Sequence, residues 1–286
     1  MNKFLKILKD INELIMFKHS IFALPFIFIS MIVAAKGWFG VRLLFLGVAA
    51  AVTARNFAMA FNRYADRDID IKNERTKNRP SVDGRVKEKH LIYFIVINAV
   101  LFVWVAYLIN DLAFYLSVPI LIVLAAYSYF KRFSETAHLV LGLSLGLAPI
   151  AGVVAVREEI TLWSVFLSIG VMFWVAGFDL LYSLQDMEFD KKEGLYSIPA
   201  IYGAKCTLFI SKIFHALTIL FWFFFIYLSG GGTFLYIALL ISAIILYKEH
   251  KIVEKDFRQI DRAFFTLNGY LGIMFLFFTI LDVAVR

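Results

Sequence analysis

Asn62, Asp66 and Asp70 lie four residues apart in the segment NRYADRDIDIKNERTKNRP (62–80), which follows directly on an apolar run. If one helix carries all three, their side chains share a side, because a spacing of four returns to the same face of an α-helix. A second segment, DLLYSLQDMEFD (179–190), sets Asp179, Tyr182, Asp186 and Asp190 at the end of another apolar run. Asn62 to Tyr182, Asp66 to Asp186 and Asp70 to Asp190 are each separated by 120 residues, a regularity that predicts two related halves facing a shared site. Taken singly, either cluster reads as a solvated helix end with satisfied carboxylates; the repetition favours a site.

Two sets of carboxylates facing one another would repel unless cations stood between them. Hard divalent ions meet that need, and Mg²⁺ takes carboxylate and phosphate oxygens while keeping some of its water. The basic residues that follow the first acids, Lys72, Arg75, Lys77 and Arg79, can balance those acids or hold a polyanion. The combination points to a diphosphate substrate. An allylic prenyl diphosphate suits it chemically: cations stabilise charge on the leaving diphosphate while the allylic fragment gains carbocation character, and water must be kept away.

The elements that must position these groups follow from composition. Of 286 residues, 61% are hydrophobic and 18% charged, with 31 Phe and a mean hydropathy of +0.78. A soluble domain is about half apolar, so this is an integral membrane protein. Apolar runs recur at lengths near 20, the number needed to cross about 30 Å of hydrocarbon. The spans are read at about 16–35, 41–62, 91–109, 112–130, 138–156, 161–183, 206–227, 233–248 and 263–283. The expected fold is therefore all-α, with nine transmembrane helices in two parallel four-helix repeats, about 14–130 and 136–248, plus one final helix.

Net charge of +7 invites a nucleic-acid reading, but the charges cluster in the connections between apolar runs. Segments expected inside the cell hold 22 basic residues, against Lys36, Arg42, Arg157 and Arg286 outside. The positive-inside rule then places the N-terminus and both acidic clusters on the cytoplasmic side. The first apolar stretch lacks a small-residue cleavage site and is expected to remain as a span. Lone Cys206 excludes an internal disulfide and reads as an apolar filler.

Other polar residues have positions worth marking. Arg55 lies inside span two, seven residues before Asn62, hence on its face and aimed at a wet cavity. Lys18 stands at the mouth of span one, where snorkelling to headgroups and a phosphate-facing role are both open. Tyr127, Tyr129 and Lys131 suit a phosphate lining, beside a plain role for Lys131 as topology anchor. Gly142, Gly146, Pro149 and Gly152 in span five permit close helix approach or a break facing a cavity. His90, His138, His215 and His250 show no metal-ligand spacing and read as packing residues.

The two acidic segments together resemble the signatures of the UbiA superfamily of intramembrane prenyltransferases, and the resemblance extends over nearly the whole chain. It implies helices around a central cavity with a lateral opening to the bilayer and a cytoplasmic polar cap. It also implies that Asn62, Asp66 and Asp70 bind one Mg²⁺ and the diphosphate, that Asp186 and Asp190 serve a second Mg²⁺, and that Asp179 and Tyr182 line the reaction chamber. Arg75, Arg79 and Lys131 resemble the family's diphosphate-binding residues, and Arg55 and Lys18 are weaker matches for the same pocket.

Within that superfamily the chain is most similar to the 4-hydroxybenzoate polyprenyltransferase branch. The implied activity is Mg²⁺-dependent transfer of a polyprenyl group to the ring of a small aromatic acid, in quinone biosynthesis at the cell inner membrane, with membrane lipid and no obligate protein as partner. Many enzymes of that branch carry an Arg-Pro pattern where this chain has FKHSIFALPF. That segment, with TARNFAMAFNR (53–63), also resembles a group that prenylates 1,4-dihydroxy-6-naphthoate for menaquinone. A membrane transporter has less reason to keep two carboxylate clusters with a basic shell. An alcohol phosphotransferase would pack its aspartates with glycines in one signature, which is not found here.

Overall fold

The computed structural model describes residues 3–15, 22, 24–257, 260 and 266–286. Among the described residues, eight helices are long and apolar enough to cross a membrane. They are α3 (Val41–Ala65), α5 (Glu88–Ile109), α6 (Asp111–Phe130), α7 (Ala137–Arg157), α8 (Leu162–Ser183), α10 (Ile198–Leu228), α11 (Thr233–Lys255) and α12 (Asn268–Val285). The short helices are α1 (Lys3–Ile15), α2 (Leu24–Ala35), α4 (Arg67–Asp70) and α9 (Met187–Glu193). The protein is thus an all-α, multi-pass membrane protein.

Among the described residues the expectation of nine spanning helices is corrected to eight. The difference lies at the first apolar run, read as a span over 16–35, whose residues 16–21 and 23 fall outside those described. The helix seen there, α2, has 12 residues and rises only about 18 Å, short of the roughly 30 Å of hydrocarbon. Pro25 sits in its first turn, where a missing N–H costs nothing. Its apolar character has another cause: Phe26, Ile29, Ser30 and Met31 are fully buried, so α2 is enclosed by protein.

Other boundaries moved less, except that α11 runs on to Lys255 where its span was expected to end near 248, and α10 begins at Ile198 where its apolar span was expected near 206. Ser197 caps the start of α10, its side chain accepting from Ala200 N, and Pro199 occupies the first turn. Pro199, Gly203 and Lys205 interrupt the apolar signal over 198–205, and Gly203, whose φ is 78°, kinks the helix.

Helix α8 lies at the centre, packed between α7 and α10, while α2 joins α7 to α12. Trp174 of α8 meets Phe26 of α2 at 5.0 Å between ring centroids, and Phe26 meets Trp222 of α10 at 5.3 Å. Small residues let α7 approach closely: a Cβ on Gly142 would stand 2.3 Å from the Met172 carbonyl oxygen, and one on Gly146 would stand 2.8 Å from that of Ser168. Several polar groups inside the bundle pair with one another, as a medium without water favours. Trp174 Nε1 donates to Asn268 Oδ1 at 2.7 Å, Asn268 Nδ2 donates to Glu249 Oε1 at 2.7 Å, and His215 Nδ1 lies 2.9 Å from His250 Nε2.

Both acidic segments share a backbone device. Helix α3 ends at Asp66 (φ −94°, ψ 5°), and α4 starts from the same residue. Past α8 and one 3₁₀ turn, Asp186 (φ −101°, ψ 2°) precedes α9 in the same way. Neither segment is one straight helix. At each break the path turns, so the carboxylates one turn apart are re-aimed.

Candidate active site

The last turn of α3 delivers Asn62, whose Nδ2 donates to Asp66 Oδ2 at 2.8 Å and to Ser128 Oγ of α6 at 3.4 Å. Asp66 is 3% exposed and Asp70 4%, and buried carboxylates need cationic partners. Lys131 Nζ stands 2.9 Å from Asp66 Oδ2, and Arg79 Nη1 donates to both oxygens of Asp70 at 2.7 Å. Burial holds the Asp66 carboxyl above the usual carboxylate range even with Lys131 beside it.

The second segment is reached by the connection between α4 and α5. Arg75 Nε donates to Asp186 Oδ1 at 3.0 Å and its Nη2 pairs with Oδ2, the two-pronged geometry that suits guanidinium to carboxylate. Arg75 Nη1 also donates to the Tyr182 hydroxyl at 3.1 Å. Burial works against the charge of Arg75, yet Asp186 holds the guanidinium above its ordinary value. Asn73 closes the arrangement: its Nδ2 donates to Asp186 Oδ1 at 3.1 Å while its Oδ1 accepts from the backbone of Arg75 at 2.9 Å, an Asx turn that sets the loop.

The structure therefore brings together Asn62, Asp66, Asp70, Arg79 and Lys131 around the first break, and Tyr182, Asp186 and Arg75 around the second. The two groups are tied by the 63–90 connection and by Tyr196 N donating to the Lys131 carbonyl at 2.8 Å. Asp179 lies one turn before Tyr182 and pairs with His138 across the α7–α8 contact. Asp190, in α9, accepts from Ser197. Arg55 is two turns back along α3 with Tyr127 of α6 as neighbour. Lys18 lies outside the described residues.

Sequence reasoning missed Asn73, Arg132 and His138 as site residues. Arg132 Nη2 donates to the Ala65 carbonyl at 2.5 Å and to Asp68 Oδ1 at 2.7 Å, bracing the end of α3, and holds the Asp68 carboxyl below its usual range. His138 was legible through the 120-residue offset, which carries Lys18, already marked at a helix mouth, onto position 138.

A cavity of about 690 Å³ opens among Lys36, Arg157, Trp163 and Arg286, at the opposite ends of the helices, and is separate from this site. Among the described residues no three His, Cys, Asp or Glu side chains converge as a metal cluster, because the carboxylates face cations instead. Their donor set nonetheless fits a hard cation: all are oxygen donors, and Asp66 Oδ1 is buried with no hydrogen-bond partner among the described residues.

The model of the UbiA prenyltransferase family matches residues 23–279 of this chain. The 4-hydroxybenzoate octaprenyltransferase of Serratia proteamaculans (strain 568) is 28% identical over 243 residues, covering 84% of this chain and 83% of its own. That of Vesicomyosocius okutanii is 28% identical over 261 residues, covering 89% and 93%. The apo structure of a UbiA homolog from Aeropyrum pernix K1 aligns with a TM-score of 0.83 at 30% identity, over 92% of this chain and 98% of that one. A UbiA homolog from Archaeoglobus fulgidus, bound to DMAPP and Mg²⁺, aligns with a TM-score of 0.79 at 19% identity, over 97% and 100%, a likeness of fold.

Proposed function

Because the chain belongs to the UbiA prenyltransferase family, we propose that it transfers a polyprenyl group from a polyprenyl diphosphate to the ring of 4-hydroxybenzoate, releasing diphosphate, in quinone biosynthesis. The observation that carries this reading is the pairing of each central carboxylate with a base: Asp66 with Lys131, Asp70 with Arg79, Asp186 with Arg75. These are stored pairs. A diphosphate entering between them offers Lys131, Arg79 and Arg75 new acceptors, and each base that turns to phosphate releases a carboxylate.

Asn62, Asp66, Asp70, Asp186 and Asp190 would then hold Mg²⁺, as the Mg²⁺ in the Archaeoglobus fulgidus homolog suggests by analogy. What the ion supplies is electrostatic, a sink for the negative charge that grows on the leaving diphosphate. Arg75 and Arg79 would orient that leaving group, and Tyr182, which accepts from Arg75 and packs against the apolar core, would help to exclude water from the allylic cation. The charge bias of the connections supports a cytoplasmic position at the inner membrane for this cap and the N-terminus.

The relatives named as 4-hydroxybenzoate octaprenyltransferases support that acceptor. The segment TARNFAMAFNR favours a second, 1,4-dihydroxy-6-naphthoate, by its resemblance to the menaquinone-linked group. Purified protein in lipid, given Mg²⁺ and a polyprenyl diphosphate, should prenylate 4-hydroxybenzoate. Exclusive use of the naphthoate would move the chain to menaquinone biosynthesis, and use of neither would end both readings.

A further inference from the structure

His138 is the second residue of α7, and its side chain is 7% exposed. Nδ1 lies 2.7 Å from Asp179 Oδ2, whereas Nε2 is buried with no hydrogen-bond partner among the described residues. A carboxylate that accepts from Nδ1 fixes the proton there, and Nε2, buried with no acceptor beside it among the described residues, is the nitrogen that carries the lone pair of the neutral ring. This is the carboxylate–imidazole couple in which the acid fixes the tautomer, orients the ring and stabilises the imidazolium that forms when Nε2 takes a proton.

Its place in the fold matches an acceptor-handling role. Asp179 precedes Tyr182 by three residues on α8, hence on the same face and one turn further into the membrane. Tyr182 receives Arg75, and Arg75 holds Asp186. The order from the surface inward is thus carboxylate and basic cap, then tyrosine, then the His138–Asp179 couple. Diphosphate chemistry belongs to the cap. The couple lies beside that cap, on the contact between α7 and α8.

Resting on the function proposed above, we propose that His138, oriented by Asp179, is the general base for the aromatic acceptor. As the allylic C–O bond breaks, its electron pair leaves with the diphosphate. A ring π pair forms the new C–C bond, and the attacked ring carbon then loses its proton to His138 Nε2. The C–H pair restores the aromatic ring, and the imidazolium rests against the Asp179 carboxylate until it returns the proton to solvent.

The test uses His138→Ala and His138→Gln in lipid, with Mg²⁺, a polyprenyl diphosphate, the acceptor that the wild type accepts, and that acceptor deuterated at the attacked ring position. Both variants should lose about 10²-fold in kcat with prenyl diphosphate binding, measured calorimetrically, unchanged. Deuteration should slow the variants more than the wild type, because proton loss has become limiting, and added imidazole should restore His138→Ala in part. Wild-type kcat in either variant would overturn the proposal, as would a loss that imidazole does not lift and deuteration does not deepen. Wild-type protein that prenylates neither acceptor, while still binding the diphosphate, would remove the functional reading and this proposal with it.

Discussion

Gly142→Ala tests whether the α7–α8 contact sets the geometry of the inner chamber. The added Cβ would stand 2.3 Å from the Met172 carbonyl oxygen and 3.3 Å from Ala176 Cβ. The oxygen belongs to the backbone of α8, so no side-chain rotation relieves the overlap, and the helices must part by about 1 Å to reach ordinary contact. Gly142 is one turn from His138 on the same face of α7. A parting of that size would stretch the 2.7 Å contact between His138 and Asp179 to roughly 3.7 Å, beyond hydrogen-bonding range. The expected cost is about 1–3 kcal/mol of stability and, with a reacting group displaced by about 1 Å, about 10²-fold in kcat. Thermal unfolding in detergent and steady-state prenyl transfer measure the two losses. Gly47→Ala is the control, since its Cβ would meet only the Met31 side chain, at 3.4 Å. A Gly142→Ala protein with wild-type melting and wild-type kcat would refute the claim that this contact holds α7 and α8 in register.

Two further predictions concern the cap and a third concerns helix α1. Asp66→Asn and Asp186→Asn should each lower Mg²⁺-dependent prenyl transfer by about 10²-fold or more while the protein still folds; an unchanged rate in either variant contradicts the carboxylate site. Lys131→Met should raise KM for the prenyl diphosphate and shift the acid limb of the rate profile to higher pH, because the Asp66 carboxyl, already raised by burial, loses the cation that draws it down. A limb that stays in place would mean that Asp66 protonation does not limit the rate. Glu13→Gln should loosen α1 by no more than about 1 kcal/mol, since Glu13 is paired with Arg85 at an exposed position. Arg85 holds the Glu13 carboxyl below its ordinary 4.5, so the pair contributes above that pH and is lost as pH falls through the lowered value. Faster proteolysis of the N-terminal segment at neutral pH, and no difference from wild type in strong acid, is the expected pattern.

The spanning helices were legible because apolar length is a one-dimensional property, and most boundaries were found within a few residues. The first run misled for a physical reason. Hydrophobicity reports removal from water, and α2 satisfies that by being enclosed by α7 and α12, so composition cannot separate an enclosed helix from a membrane-crossing one. The site divides along the same line. The spacing of Asn62, Asp66 and Asp70 is local, and so is the pattern from Asp179 to Asp190, whereas the assignment of Arg75 to Asp186, 111 residues away, is set by how the connection crosses the cap. A buried acid must find a base, so the sequence predicts that pairs exist among these segments. It does not predict which base meets which acid. His138 shows the gap most plainly: the 120-residue offset marks its position, but only the register of α7 on α8, fixed by Gly142 and Gly146, brings it to Asp179. The cap was therefore readable from residue type and period, and the couple beneath it only from three-dimensional packing.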